Sequence, residues 1–304
     1  MRRSVLPWSP YRAAIHRLVA GAIIAIASLH GMANAESLAG PRGPEQGTFR
    51  RQFWLIPSTE QNVPMRTTVF RPPGPGPFPL MVMNHGSTQN EDRRKDMPTA
   101  AFQSLAQWFV KRGYAVVVPQ RPGHGETGGP YLEDQGRCED ADFKRAGYGT
   151  AASIAAAIAY MTDQPFIRRN GVIVVGQSAG AWGALALASR NPAGVRGVIN
   201  FAGGRGGHSY DRPDNNCVPE RLVAGARDFG GTSRIPTLWI YTENDSYFSP
   251  RLSKAMADGY RAAGGLVDYQ LLPSFGADGH LMAESEESEP IWGPILEQFL
   301  ARLR

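Results

Sequence analysis

Gly176-Gln177-Ser178-Ala179-Gly180 follows the apolar run Val172-Ile173-Val174-Val175 and opens an alanine-rich stretch of helical length, which sets a serine at a strand-to-helix corner. A corner that sharp needs glycine where a side chain would strike the crossing strand and helix, and it holds the hydroxyl exposed above a helix N-terminus. Serine is nearly inert at neutral pH, so attack on a carbonyl needs a base to accept its proton. His280 is the only histidine that follows both this corner and the acidic turn Glu243-Asn244-Asp245. A carboxylate on the far ring nitrogen would hold that imidazole in the right tautomer and stabilise its charged form. Asp245 takes this role, because the acid must arrive from a separate strand end; Glu243 and Asp278, the latter just before His280, are its rivals. The chemistry is acyl transfer, whose tetrahedral oxyanion needs fixed donors. Ala179 N–H supplies one, and the backbone of Ser87, with Gly86 as second choice, supplies the other from the loop His85-Gly86-Ser87.

These groups converge only if the chain brings several strand ends together. From Leu80 onward short apolar runs alternate with segments of helical length, the pattern of a parallel sheet covered by helices on both faces. Strands are expected at residues 80–83, 115–119, 171–175, 195–201, 237–241 and 267–272, and helices at 100–112, 147–161, 179–190, 250–263 and 290–303. Ahead of them, two extended runs at 49–56 and 64–70 read as an opening hairpin, followed by the proline-rich loop 71–77, with 36–48 a loose lead-in. The connection 203–231 is too long for a bare loop and is expected to contain a short helix around 219–226. Ligands of such sheets bind at the carboxyl ends of the strands, where the candidate groups fall. His85 and His124 lie there too, and read as buried, hydrogen-bonded residues that shape their loops.

Residues 1–35 carry Arg2, Arg3, Arg12 and Arg17 with no acidic residue, then an apolar stretch from Leu18 to Leu29, then Ala33-Asn34-Ala35. This is the pattern of a cleaved export signal, and the apolar stretch is shorter than the ~20 residues of a membrane span. Those four arginines account for most of the formal net charge of +5, so the basic balance is no argument for nucleic-acid binding. Residues 36–304 are expected to form one α/β domain, periplasmic or extracellular, without stable membrane insertion. Cys138 and Cys217 are the only cysteines, and an even pair in an exported protein favours a disulfide. With so few candidate ligands no metal is expected, and no cofactor.

The order Ser178, Asp245, His280 resembles that of the α/β hydrolases. Ile235-Pro236-Thr237-Leu238-Trp239-Ile240-Tyr241 leading to Glu243-Asn244-Asp245 is similar to their strand and acid turn, and Gly279-His280 to their histidine loop. The resemblance covers essentially all of residues 36–304 and points to the dienelactone-hydrolase-like and prolyl-oligopeptidase-like branches. It implies a twisted, mostly parallel sheet of about eight strands. Dienelactone hydrolases proper carry cysteine in the corner where this chain has Ser178, which favours ordinary ester hydrolysis. In the strand order the family implies, two strands separate those that lead to Cys138 and Cys217, so their bond would clamp a long loop over the mouth of the site. His208, Tyr247 and Trp182 are expected to line the substrate pocket. The function expected is cleavage of a small-molecule carboxylic ester through an acyl-enzyme, with a serine peptidase or a non-catalytic binding protein as alternatives. The sequence carries no reading of the oligomeric state.

Overall fold

A computed structural model describes residues 39–100 and 102–303. The expected export signal, residues 1–35, lies outside the described residues. From Pro41 onward the chain clusters as one unit. Its strands are β1 (Gly40–Gln46), β2 (Arg51–Ile56), β3 (Met65–Phe70), β4 (Leu80–Asn84), β5 (Ala115–Gln120), β6 (Val172–Gln177), β7 (Val195–Phe201), β8 (Thr237–Thr242) and β9 (Val267–Leu272). They form one sheet in the order β1-β2-β3-β5-β4-β6-β7-β8-β9. β2 and β3 pair antiparallel, β3 joins β5 antiparallel, and every ladder from β5 to β9 is parallel.

The central strands are apolar on both faces because both faces are covered. Leu80, Val82, Val117, Val172 and Val174 point into one core, and Met81, Met83, Val116, Ile173 and Val175 into the other. This two-residue alternation splits each strand between the two cores. The first core is covered by α3 (Phe143–Thr162), α4 (Ala179–Ala188), α5 (Pro219–Thr232) and α6 (Pro250–Ala262), the second by α2 (Gln103–Lys111) and α7 (Glu289–Arg302). The α/β-hydrolase architecture expected from the sequence is therefore the one observed.

Three local expectations change. The lead-in contains β1, which makes nine strands among the described residues rather than about eight; Pro41 and Pro44 hid it, and proline is tolerated there because β1 is an edge strand. The short helix expected within 203–231 is the 14-residue α5. Leu222, Ala226 and Phe229 continue its apolar stripe, so the helix runs on through Gly230 and Gly231. A further helix, α1 (Glu91–Lys95), escaped notice because it has no apolar stripe; Asn90 caps it by accepting from Arg93 N.

Candidate active site

β6 ends at Gln177, α4 begins at Ala179, and Ser178 between them has φ 54° and ψ −123°. Few non-glycine residues adopt this conformation, and packing on every side must hold it. A Cβ on Gly176 would collide with Ala181 N, and one on Gly180 with the Asn84 carbonyl. The two glycines therefore let helix and strands close around the corner. Ser178 N donates to Phe201 O at 3.0 Å, tying the corner to β7.

Asp245 sits in the turn after β8 and is 2% exposed. Its Oδ1 accepts from the amides of Tyr247 and Phe248, both at 2.9 Å, and faces His280 Nδ1 at 3.1 Å. Asp245 is thus the carboxylate on the His280 ring. Asp278 meets the histidine differently: its Oδ1 accepts from His280 N at 3.0 Å and Ser246 N at 3.2 Å, and its Oδ2 from the Ser246 hydroxyl at 2.6 Å. Burial alone would raise Asp278, but the Ser246 hydroxyl and these two amides outweigh it and hold the carboxyl below its ordinary range. Glu243 is exposed. Gln177 Nε2 donates to His280 O at 3.2 Å, which links the end of β6 to the histidine turn. Ser178 and His280 face one cleft without a direct hydrogen bond between them. Such contacts are often loose in unliganded enzymes and tighten around substrate.

Ala179 is the first residue of α4, so its amide has no acceptor within the helix. Gly86 packs on the serine: a Cβ built on it would lie 3.3 Å from Ser178 Cβ. His85 Nε2 accepts from Arg121 N at 3.2 Å, so Nδ1 carries the proton that bonds Gly86 O at 2.6 Å. Burial, reinforced by Arg121, drives His85 well below the ordinary histidine range and keeps it neutral. His124 Nε2 meets the Ser87 hydroxyl at 2.7 Å, and Tyr131 OH meets it at 3.0 Å. Burial lowers His124 to about 4. With the Ser87 hydroxyl occupied, what this residue offers a substrate is its backbone.

Beneath this loop lies a group the sequence reading missed. Glu133, 1% exposed, pairs with both Arg121 and Arg205. Burial would raise Glu133, but the two guanidiniums hold its carboxyl well below the usual range. Arg205 also reaches Tyr131 OH at 3.2 Å, so the ion cluster is bonded to the residues that hold Ser87. In the sequence Arg121 follows the expected strand 115–119 and Arg205 lies in the connection 203–231, but nothing local marked Glu133 as their partner.

Two clefts meet at Ser178. One, of about 420 Å³, is lined by Ala179, Gln89, Gln135, His208 and the Gly204–Gly207 segment. The other, of about 570 Å³, is lined by His280, Gly86, Met97, Phe102 and Leu281. Cys138 and Cys217 are joined by a disulfide that forms part of the first cleft's wall. Tyr247 lines both clefts, and its ring stacks on His280 at 4.0 Å and on His208 at 3.6 Å, so it is sandwiched between two imidazoles. Trp182 does not line the site. It is fully buried, donates from Nε1 to Phe143 O at 2.7 Å and packs on Phe229, because α4 is enclosed by the sheet and α3 along its whole length. Among the described residues no helix is long and apolar enough to cross a membrane.

Residues 61–228, more than half of the chain, match the X-Pro dipeptidyl-peptidase (S15) family. No curated protein matches the sequence significantly. Among solved structures, a Klebsiella pneumoniae protein assigned as a dienelactone hydrolase is 16% identical with a TM-score of 0.55, covering 86% of this chain and 98% of its own. A Pyrococcus furiosus esterase is 15% identical with a TM-score of 0.56, covering 86% of this chain and 98% of its own. An acylaminoacyl peptidase from Pyrococcus horikoshii is 15% identical with a TM-score of 0.58 over 84% of this chain, which spans only 42% of the peptidase.

Proposed function

The chain belongs to the X-Pro dipeptidyl-peptidase (S15) family and is a serine hydrolase of the α/β-hydrolase type, and from that premise we propose that it cleaves carboxylic esters with Ser178, His280 and Asp245. The observation that carries this reading is the contact of His280 Nδ1 with buried Asp245, which leaves Nε2 as the basic nitrogen of a ring that shares a cleft with Ser178. His280 takes the Ser178 proton as Oγ adds to the carbonyl carbon, and Asp245 stabilises the imidazolium. The amides of Ala179 and of Ser87 or Gly86 hold the oxyanion, each worth about 3 kcal/mol. Collapse of the intermediate expels the alcohol, which His280 protonates; water then repeats the sequence to release the acid and free the serine.

The family match favours a second reading, a peptidase. The ester reading is preferred because the chain spans 98% of the esterase's own length but 42% of the acylaminoacyl peptidase's. A disulfide persists in oxidising compartments, which supports an exported protein. The test is a fluorophosphonate probe: it should label the wild type and spare Ser178→Ala, with p-nitrophenyl esters hydrolysed faster than aminoacyl amides. Equal labelling of both proteins would sink the assignment, and faster amide cleavage would transfer it to the peptidase reading.

A further inference from the structure

The loop beside the nucleophile is gripped at both ends of one peptide unit. Gly86 lies against the serine, a Cβ built on it falling 3.3 Å from Ser178 Cβ. The Gly86 carbonyl and the Ser87 N–H belong to the same planar peptide, so whatever holds one orients the other. On the carbonyl side, His85 Nδ1 donates to Gly86 O at 2.6 Å, and Arg121 N pins the ring by donating to His85 Nε2 at 3.2 Å. On the amide side the grip is the Ser87 hydroxyl, which His124 and Tyr131 hold between them.

The protons in that second grip run one way. His124 Nδ1 faces two carbonyl oxygens, Arg121 O at 3.2 Å and Pro122 O at 3.1 Å, so it carries the ring proton. Nε2 is then an acceptor, and the Ser87 hydroxyl donates to it at 2.7 Å. Ser87 Oγ is left to accept from Tyr131 OH at 3.0 Å, and the Tyr131 oxygen accepts in turn from Arg205 at 3.2 Å and from Gln89 Nε2 at 3.0 Å. Arg205 is buried and fixed by Glu133, whose other partner, Arg121, leads to His85. The two grips on the peptide therefore have one buried carboxylate in common. In such a network each bond polarises the next, and the group at its end is held within a narrow range of orientations. Tyr131 lines neither cleft, so it acts on the reaction through Ser87.

Resting on the ester reading above, we propose that Tyr131 is a positioning residue for the reaction: held by Arg205, its hydroxyl sets through Ser87 the orientation of the Gly86–Ser87 peptide, whose N–H receives the oxyanion. Ser87 rather than Gly86 is then the second donor. Without the Tyr131 hydroxyl, Ser87 is held by His124 alone and the peptide is free to tilt. The oxyanion exists only once the serine has attacked, so the loss falls on kcat and spares KM.

The test compares p-nitrophenyl butyrate with its thiono analogue, in which sulfur replaces the carbonyl oxygen and accepts hydrogen bonds poorly. Donors placed for an oxyanion favour the oxygen ester, so the ratio of the two kcat/KM values reads the oxyanion site. Tyr131→Phe keeps the ring against His124 and beneath Arg94, and leaves Arg205 its bond to Glu133 O. It is expected to lower kcat for the oxygen ester about tenfold at unchanged KM, the worth of one hydrogen bond, and to shrink the oxygen-to-sulfur ratio by a similar factor. Ser87→Ala should lose at least as much, and the double variant no more than Ser87→Ala, because Tyr131 acts through that hydroxyl. Thr150→Val removes a different partner of Arg205, at 2.8 Å, and should lower the urea midpoint while leaving the ratio intact. An unchanged kcat in Tyr131→Phe, equal losses on both esters, additive losses in the double variant, or a ratio that Thr150→Val shifts as far would overturn the positioning role and leave the ester reading standing. A wild type that cleaves aminoacyl amides faster than esters would overturn the ester reading instead, and the same comparison of amide with thioamide would then decide the role of Tyr131. No turnover of either class would overturn both.

Discussion

The Tyr247 ring lies 4.0 Å from that of His280, with the planes inclined by only 22°. An electron-rich ring in this position supports the imidazole most when it is protonated, as it becomes while the serine attacks. Tyr247 is thus a positioning residue, held in turn by the turn at Asp245, whose Oδ1 accepts its amide.

Removal of that ring should slow catalysis while the fold persists. Tyr247→Ala is expected to lower kcat by about tenfold, the equivalent of a stacking contact of 0.5–1.5 kcal/mol, whereas Tyr247→Phe should stay within about twofold. Steady-state kinetics with one ester, together with thermal melts, checks this; equal losses in both variants would assign the effect to the hydroxyl instead.

Asp245 and Asp278 both contact His280, one at the ring and one at the backbone. Asp245→Asn should cost about 10⁴ in kcat by presenting the wrong tautomer. Asp278→Asn loosens only the turn and should cost about tenfold, a hydrogen bond or two. Similar losses in the two variants would remove the distinction between the carboxylates.

The Cys138–Cys217 bond joins residues 79 apart in sequence. Loop-closure entropy for a loop of that size implies about 4.5 kcal/mol of stability. The double variant Cys138→Ser, Cys217→Ser should unfold at correspondingly lower urea, and its kcat/KM should fall as the smaller cleft loses part of its wall. An unchanged urea midpoint would show that the segment is held by its packing alone.

Acid should destabilise the protein before it protonates the carboxylates. Burial holds the folded pKa of His124 at about 4, while an unfolded histidine titrates near about 6.5. Between these values the unfolded chain binds the extra proton, so this contribution is fully present above about pH 6.5 and is lost as pH falls towards 4, for about 3 kcal/mol in all. His85 acts in the same direction beside it, and Glu133, paired with Arg121 and Arg205, adds its own loss only at lower pH. Melting temperatures between pH 7 and 4 should fall less steeply for His124→Gln than for the wild type; parallel curves would refute the assignment.

The sheet was legible from the sequence because parallel strands covered on both faces become unbroken apolar runs, and the corner at Ser178 because its glycines are imposed by contacts within a few residues. The boundaries that slipped, β1 and the long α5, did so where proline and glycine are tolerated for reasons of position: one lies on an edge, and the other carries an apolar stripe that continues past its glycines. Chain order also narrowed the acid to a few carboxylates around two turns. Whether Asp245 or Asp278 meets the imidazole, which face of α4 Trp182 occupies, and that Glu133 lies between Arg121 and Arg205 are decided only in three dimensions. Each depends on where a side chain from one loop falls against another far away in sequence, and no local spacing or composition encodes that distance.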